Sequence, residues 1–397
     1  MRRGKTSGDS NIIKMPNDPR IAILGALKMI VLILLLAAIA GTIYVYQEDI
    51  SIDNAKRLIN YINLGASTAG KPREIELEST LQSDFALSTG GMAVVGGDML
   101  YFVNPAGYKD MEVQLGYSRP ALVSSDKEIV CYDRGGYKMC VANSYSVIKN
   151  MEFKSPILSA AMNDKGTLTV VTDEEGYKAA VTVFGKGQKQ IFKWNTSENY
   201  VMLSAVSPDS KRIAAAAFSQ DNGEITSLVK IFETGKDESI CEIKIENEFV
   251  LGIAFVENNE ICIAGETGTY LFDVKGEKKS EIRYSKGSLV AFAIECGSAP
   301  CIAVQENARD EAVRLYTLRN DGTERHSGII RGEAVSVSAA GNNIAAVIGD
   351  TAYFFGADME ERKEKIAVAG AKEILQRSDG EAIVIFPDRA KFVSQLS

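Results

Sequence analysis

The stretch "VKIFETGKDESICEI", Val229 to Ile243, decides the fold because its outline returns. It comes back as "TYLFDVKGEKKSEI" at 269–282 and as "AYFFGADMEERKEKI" at 352–366. Each copy is an apolar run closed by an aromatic, then a turn, then a charged alternating run. The closing aromatics fall at Phe184, Phe232, Phe272, Tyr316, Phe355 and Phe392, in steps of 48, 40, 44, 39 and 37 residues. Phe102 precedes Phe184 by 82 residues, or two steps of 41. A period near 40 built from four short strands is one blade of a β-propeller.

Working outward, eight first strands can be indexed: "DFALST" from Asp84, "PALVSS" from Pro120, "ILSAAM" from Ile157, "VMLSAV" from Val201, "VLGIAF" from Val250, "LVAFAI" from Leu289, "AVSVSA" from Ala334 and "AKEILQ" from Ala371. They are small and apolar, as strands crowded round a propeller axis must be. No amphipathic helix interrupts the chain from Arg73 onward. The expected fold is therefore an all-β, eight-bladed propeller over 73–397, with seven blades as the alternative if 84–118 is irregular. The last blade lacks a fourth strand. "REIELEST" at 73–80 alternates apolar and acidic residues and is expected to supply it, closing the ring and removing exposed strand edges.

"AVSPDSKRIAAAAFS", Ala205 to Ser219, resembles the first-to-second-strand hairpin of WD-repeat-like and quinoprotein-like propellers. The Trp-Asp ending of true WD repeats is absent. Trp194 is the only tryptophan, so the Trp docking pattern of quinone-binding blades is absent too. The layout resembles bacterial single-pass, membrane-anchored propeller proteins of unknown function. That resemblance implies fold and location and carries no activity.

The location rests on the head of the chain. Six of the 44 Lys/Arg and two of the 52 Asp/Glu lie in residues 1–46, which leaves 38 basic and 50 acidic residues, a net of −12, in the remainder. So acidic a body argues against nucleic acid as a partner, since phosphates require a basic surface. The run "IAILGALKMIVLILLLAAIAGTIYVY", 21–46, is expected to be a transmembrane helix, with Lys28 snorkelling and Tyr44 and Tyr46 at the interface. Basic residues before it place 1–20 in the cytoplasm and the propeller outside, making the run a signal anchor. A cleavable signal ending at Ala38-Ile39-Ala40 is the rival. Residues 47–72 read as a stalk, with a short amphipathic helix over 51–65 and a linker after it.

Six cysteines follow the anchor. In "EIVCYDRGGYKMC" a Gly135-Gly136 turn brings Cys131 opposite Cys140, within disulfide reach. "CGSAPC" is expected to bring Cys296 opposite Cys301 across a four-residue turn. Cys241 and Cys262 read as core thiols.

Catalytic signatures are sparse. His326 is the only histidine and falls in an outer hairpin. No nucleophile elbow, phosphate-binding loop, dinucleotide fingerprint or Cys-x-x-Cys occurs, and the sequence implies neither a cofactor nor a metal site. What it does show is charge segregation. Loops between second and third strands carry Asp98, Asp133, Asp173, Glu174, Glu175, Asp221, Glu224, Glu266, Glu306, Asp310, Glu311, Asp350 and Asp388, against Arg134, Lys178, Arg309 and Arg389. The opposite turns read as mixed or basic. A ring of carboxylates focuses negative potential and attracts a basic protein segment, or binds a divalent cation weakly. Glu174, Glu175, Asp310 and Glu311 are the candidate residues of this face. The expected function is a non-enzymatic protein-binding or assembly platform at the cell envelope. An extracytoplasmic enzyme acting on glycans or using a quinone is the alternative, because a propeller by itself hosts both.

Overall fold

The computed structural model describes residues 28–37, 73–77, 83–105, 107–221, 224–284, 287–295, 297–306, 311–319, 321, 323–362 and 365–394. The chain divides into two compact units, Met1–Asn60 and Tyr61–Ser397. In the first unit, residues 28–37 are helical with exposed side chains. Among the described residues no helix is long and apolar enough to cross a membrane. The rest of the apolar run, residues 1–20 expected to form a cytoplasmic tail, and the stalk helix expected over 51–65 lie outside the described residues.

In the second unit the strands form eight sheets, one per blade, at 84–114, 120–152, 157–196, 200–246, 250–283, 288–331, 334–367 and 373–394. Seven are meanders in chain order. The eighth takes Arg73–Glu76 as its outermost strand, antiparallel to Arg389–Ser394, with Ile75 opposite Ala390. The expected closure is thus present, and the count is eight. Blade 6 divides its outer strand, since Glu324–His326 and Ile330–Arg331 both pair with Ala312–Leu318.

The apolar residues sort into eight buried clusters, each shared by two neighbouring blades. Ile75 and Leu77 join Met92, Tyr101 and Phe392 in the cluster between blades 8 and 1, so the last interface is built like the others. Both faces of each middle strand are covered. Strands such as Ile129–Asp133 and Leu168–Thr172 therefore read as continuous apolar runs and not as alternations.

The aromatic period has a backbone cause. In blades 1 to 5 the third and fourth strands shift register at one place, next to Phe102, Ala142, Phe184, Phe232 and Phe272. Each shift is a β-bulge that bends the outer strand. The opening stretch is the bulged outer hairpin of blade 4.

The Ser-Pro-Asp turn sits where the resemblance implies, between Tyr200–Val206 and Arg212–Asp221. Ser207 Oγ donates to Asp209 Oδ1 at 2.7 Å and accepts the Arg212 N–H at 3.0 Å. Ser210, at φ 65°, closes the turn by donating its N–H to the Ser207 carbonyl. Asn163 of blade 3 donates to that same carbonyl at 2.8 Å, tying the two blades together.

Candidate functional site

Each blade is an antiparallel meander, so its innermost strand runs from the face of the blade-to-blade links to the opposite face. Second-to-third loops therefore open on the link face. The loop carboxylates read from the sequence that fall among the described residues belong to it. Asp310 lies outside the described residues, as do the side chains of Asp221 and Glu224.

Several of these carboxylates have structural work. Asp133 Oδ1 accepts the N–H groups of Ser118 and Arg119 at 3.0 and 2.8 Å, fixing the link into blade 2. Glu174 pairs with Lys193 at 2.9 Å. Burial raises the Glu174 pKa, but the hydrogen bond and charge of Lys193 outweigh it and hold the carboxyl below the usual range. Glu306 is held by Arg314 at 3.2 Å and by the Tyr316 hydroxyl at 2.9 Å. Asp388 pairs with Arg389 at 3.1 Å, and Gln114 donates to Asp98.

Asp173, Glu175, Glu266, Glu311 and Asp350 are exposed and make no ion pair among the described residues. Of the candidate residues, then, Glu175 and Glu311 carry available charge while Glu174 is largely spoken for by Lys193. Glu174 and Glu175 stand on blade 3 and Glu311 on blade 6, so the structure spreads them round the face and does not gather them.

Aromatic groups on this face were missed by reading aromatics only as strand ends. Tyr200, half exposed at the start of the innermost strand of blade 4, stacks on Phe218 with ring centroids 5.7 Å apart. Phe218 meets Phe249 of the next link at 5.9 Å. Lys178 Nζ lies 4.7 Å from the Tyr200 ring centre, a cation–π contact. Tyr177 is exposed beside it, in the same loop as Glu174 and Glu175.

Two more carboxylates stand at the inner rim. Asp84 opens the innermost strand of blade 1, and its Oδ2 accepts the Leu122 N–H of blade 2 at 2.8 Å. Glu373 opens the innermost strand of blade 8. Burial, with the Asp84 charge beside it, pushes the Glu373 carboxyl up to about 7.

The opposite face, expected to be mixed or basic, holds an acidic group of its own. Glu295 is open to water yet hemmed in by protein; burial and then the Asp164 charge push it up to about 7. Asp164 is itself raised by burial and by Asp126. These three come from blades 2, 3 and 6, a convergence across the axis that linear spacing cannot reveal.

The cysteine expectations divide. Cys131 and Cys140 are register partners in neighbouring strands, buried in one cluster, and both are free thiols. Cys296 lies outside the described residues. Cys301 opens its strand opposite Ala293, so the expected four-residue turn is a seven-residue connection, 294–300, and the expected opposition of Cys296 and Cys301 is replaced. The cause is that the loop bonds outward, Gly297 N–H to the Phe255 carbonyl and Ala299 N–H to the Gly341 carbonyl, while Pro300 has no N–H to continue the ladder.

His326 is exposed at the blade edge, its ring edge-on to Tyr316 at 5.8 Å. Among the described residues no three or more His, Cys, Asp or Glu lie close enough to hold a metal ion.

The family of unknown function DUF5711 matches residues 71–394, a span that takes in the closing strand and all eight blades. Many solved structures share the fold, among them the following two. The BamB structure from Moraxella catarrhalis is similar at 12% identity and a TM-score of 0.50, covering 81% of this chain and 96% of that one. Sqt1 from Chaetomium thermophilum, solved bound to the N-terminus of the ribosomal protein L10, is similar at 11% identity and a TM-score of 0.55, covering 82% and 100%. At these identities the likeness speaks for the fold alone. A search among curated proteins gives no match.

Proposed function

We propose that this chain, which belongs to the family of unknown function DUF5711, is a membrane-anchored protein-binding or assembly platform whose propeller works outside the cytoplasmic membrane. The observation that carries the binding role is the link face. Exposed carboxylates from blades 3, 5, 6 and 7, namely Glu175, Glu266, Glu311 and Asp350, stand there without internal partners among the described residues. Their summed field draws in a cationic partner. A neighbour of the same fold, Sqt1, is solved with a protein N-terminus bound, which supports protein recognition by such a ring. The anchor rests on the apolar run 21–46 and the orientation on the basic residues before it. The non-enzymatic reading rests on the sequence, whose one histidine stands alone at a blade edge.

The test is crosslinking in intact membranes followed by purification of the full chain. A basic protein partner is expected, and its capture is lost when Glu175, Glu266, Glu311 and Asp350 are all changed to Lys, or when salt is raised. Equal capture by the fourfold variant at low salt overturns the reading. Capture restored only by added Ca²⁺ or Mg²⁺ assigns the face to a cation instead. A reporter fused after Ser397 that is active only in the cytoplasm overturns the orientation.

A further inference from the structure

The innermost strands line a central channel, and their backbone is irregular on one side only. In blades 3 to 7 the first hairpin shifts register at the second or third residue of the innermost strand. The residues passed over are Leu158, Met202, Leu251, Val290 and Val335. Blades 8, 1 and 2 pair without a shift. A bulge bends its strand and re-aims the side chains beside it. The exposures agree: Met202, Leu251, Val290 and Val335 are 39–43% exposed. Four consecutive blades, 4 to 7, thus present an exposed apolar residue at the same level, near the link face, while Leu158 of blade 3 packs against the core between blades 3 and 4. Gly252 widens the arc, because its missing side chain leaves room for Phe292 of blade 6, whose ring edge would stand 2.7 Å from a Cβ there.

The facing side of the mouth is acidic. Glu373 and Asp84 open the regular innermost strands of blades 8 and 1, and the Glu373 carboxyl is raised partly by the Asp84 charge beside it. One wall is apolar and the other carries carboxylates. An apolar arc open to water is unusual unless something covers it.

We propose that the mouth of the channel on the acidic face takes an extended, amphipathic segment of a protein partner, with apolar side chains against Met202, Leu251, Val290 and Val335 and basic ones toward Glu373 and Asp84. The inference rests on the binding reading above and names its location and the partner's chemistry. Charge complementarity selects this occupant. An anionic lipid surface is repelled by the rim of Asp173, Glu175, Glu266 and Asp350, and a purely polar basic chain leaves the arc uncovered.

The probe is a fluorescein-labelled peptide of alternating leucine and arginine, titrated with the full chain in detergent and followed by anisotropy. Binding is expected to fall at least tenfold in the Met202→Ser, Leu251→Ser, Val335→Ser variant, while a serine–arginine peptide binds more weakly to the wild type and is indifferent to that change. These side chains are open to water, so the variant is expected to keep its melting temperature; the single Met202→Gln variant repeats the test with one near-isosteric change. Equal binding of the leucine–arginine peptide by wild type and both variants overturns the proposal. If those variants bind normally but the fourfold lysine variant does not, the acidic face stands as a platform and the channel mouth falls. If no variant loses the peptide, both readings fall.

Discussion

Ile75, in the strand before the first blade, stands opposite Ala390 in the last strand of the eighth. The two ends of the domain are therefore one sheet. Arg389 adds an ion pair to Glu74 across the same seam at 2.5 Å. Ile75 and Leu77 are buried there against Phe392 and Met92, so truncating either removes core contact and loosens ring closure together. Ile75→Ala and Leu77→Ala are each expected to cost about 2 kcal/mol and jointly more, read as a lower melting temperature of the purified domain. A double variant that melts like the wild type would mean the ring is held shut by its other seven interfaces alone.

Cys131 and Cys140 make the second prediction. As register partners they satisfy the backbone requirement for a cross-strand disulfide. Burial raises both thiols, Cys140 to about 11, so the thiolate needed for exchange is scarce in the folded state. Oxidation is then expected during folding outside the cytoplasm and not afterwards. Protein recovered from envelopes should be 2 Da lighter than its reduced form by intact mass, about one hydrogen per thiol. Protein folded in the cytoplasm should stay reduced for hours under mild oxidant. Full alkylation of envelope-derived protein after unfolding without reductant excludes the bond.

Most of the fold was legible because a propeller writes its backbone period into the sequence. Phe102, Phe184, Phe232 and Phe272 repeat because each sits beside the bulge that blades 1 to 5 share, and the Gly135-Gly136 turn fixes the facing of Cys131 and Cys140 locally. The site was less legible. The second-to-third loops could be assigned to a face by counting strands, but Lys193, which occupies Glu174, lies on another strand at no readable spacing. The facing of Cys301 failed because the loop before it bonds to neighbouring blades. The exposed arc of Met202, Leu251 and Val335 reads in sequence as ordinary core, since a bulge at the inner edge leaves no compositional mark.

Two glycines separate backbone from side-chain crowding. A Cβ at Gly91 would overlap the backbone carbonyl of Val103, which cannot move without breaking the strand pairing. A Cβ at Gly252 would meet only the ends of Phe292 and Ile294, at 2.7 and 2.9 Å, and Phe292 can swing toward the channel. Gly91→Ala is expected to cost about 2–3 kcal/mol and Gly252→Ala less than about 1 kcal/mol. Denaturant midpoints at unchanged slope measure both. The reverse order would mean that the ring of Phe292 is fixed in place.

Glu373 and Glu295 set the dependence on pH. Each carboxyl is pushed from an ordinary value of 4.5 up to about 7 in the folded protein, chiefly by burial and then by Asp84 and Asp164 respectively. Between pH 4.5 and about 7 the folded state therefore holds protons that the unfolded chain has released. Stability contributed by these groups is full below that window, falls as pH rises through it, and stays flat above it. Glu373→Gln keeps the shape and removes the charge. It should match the wild type at pH 5 and melt higher at pH 8, by about 1–2 °C, a small shift because the group is partly open to water. Glu295→Gln should behave alike, and the double variant should flatten the profile further. A Glu373→Gln variant that melts lower than the wild type at pH 8 would mean the charged carboxylate is held by a partner that favours it, and would remove the physical basis for its raised pKa.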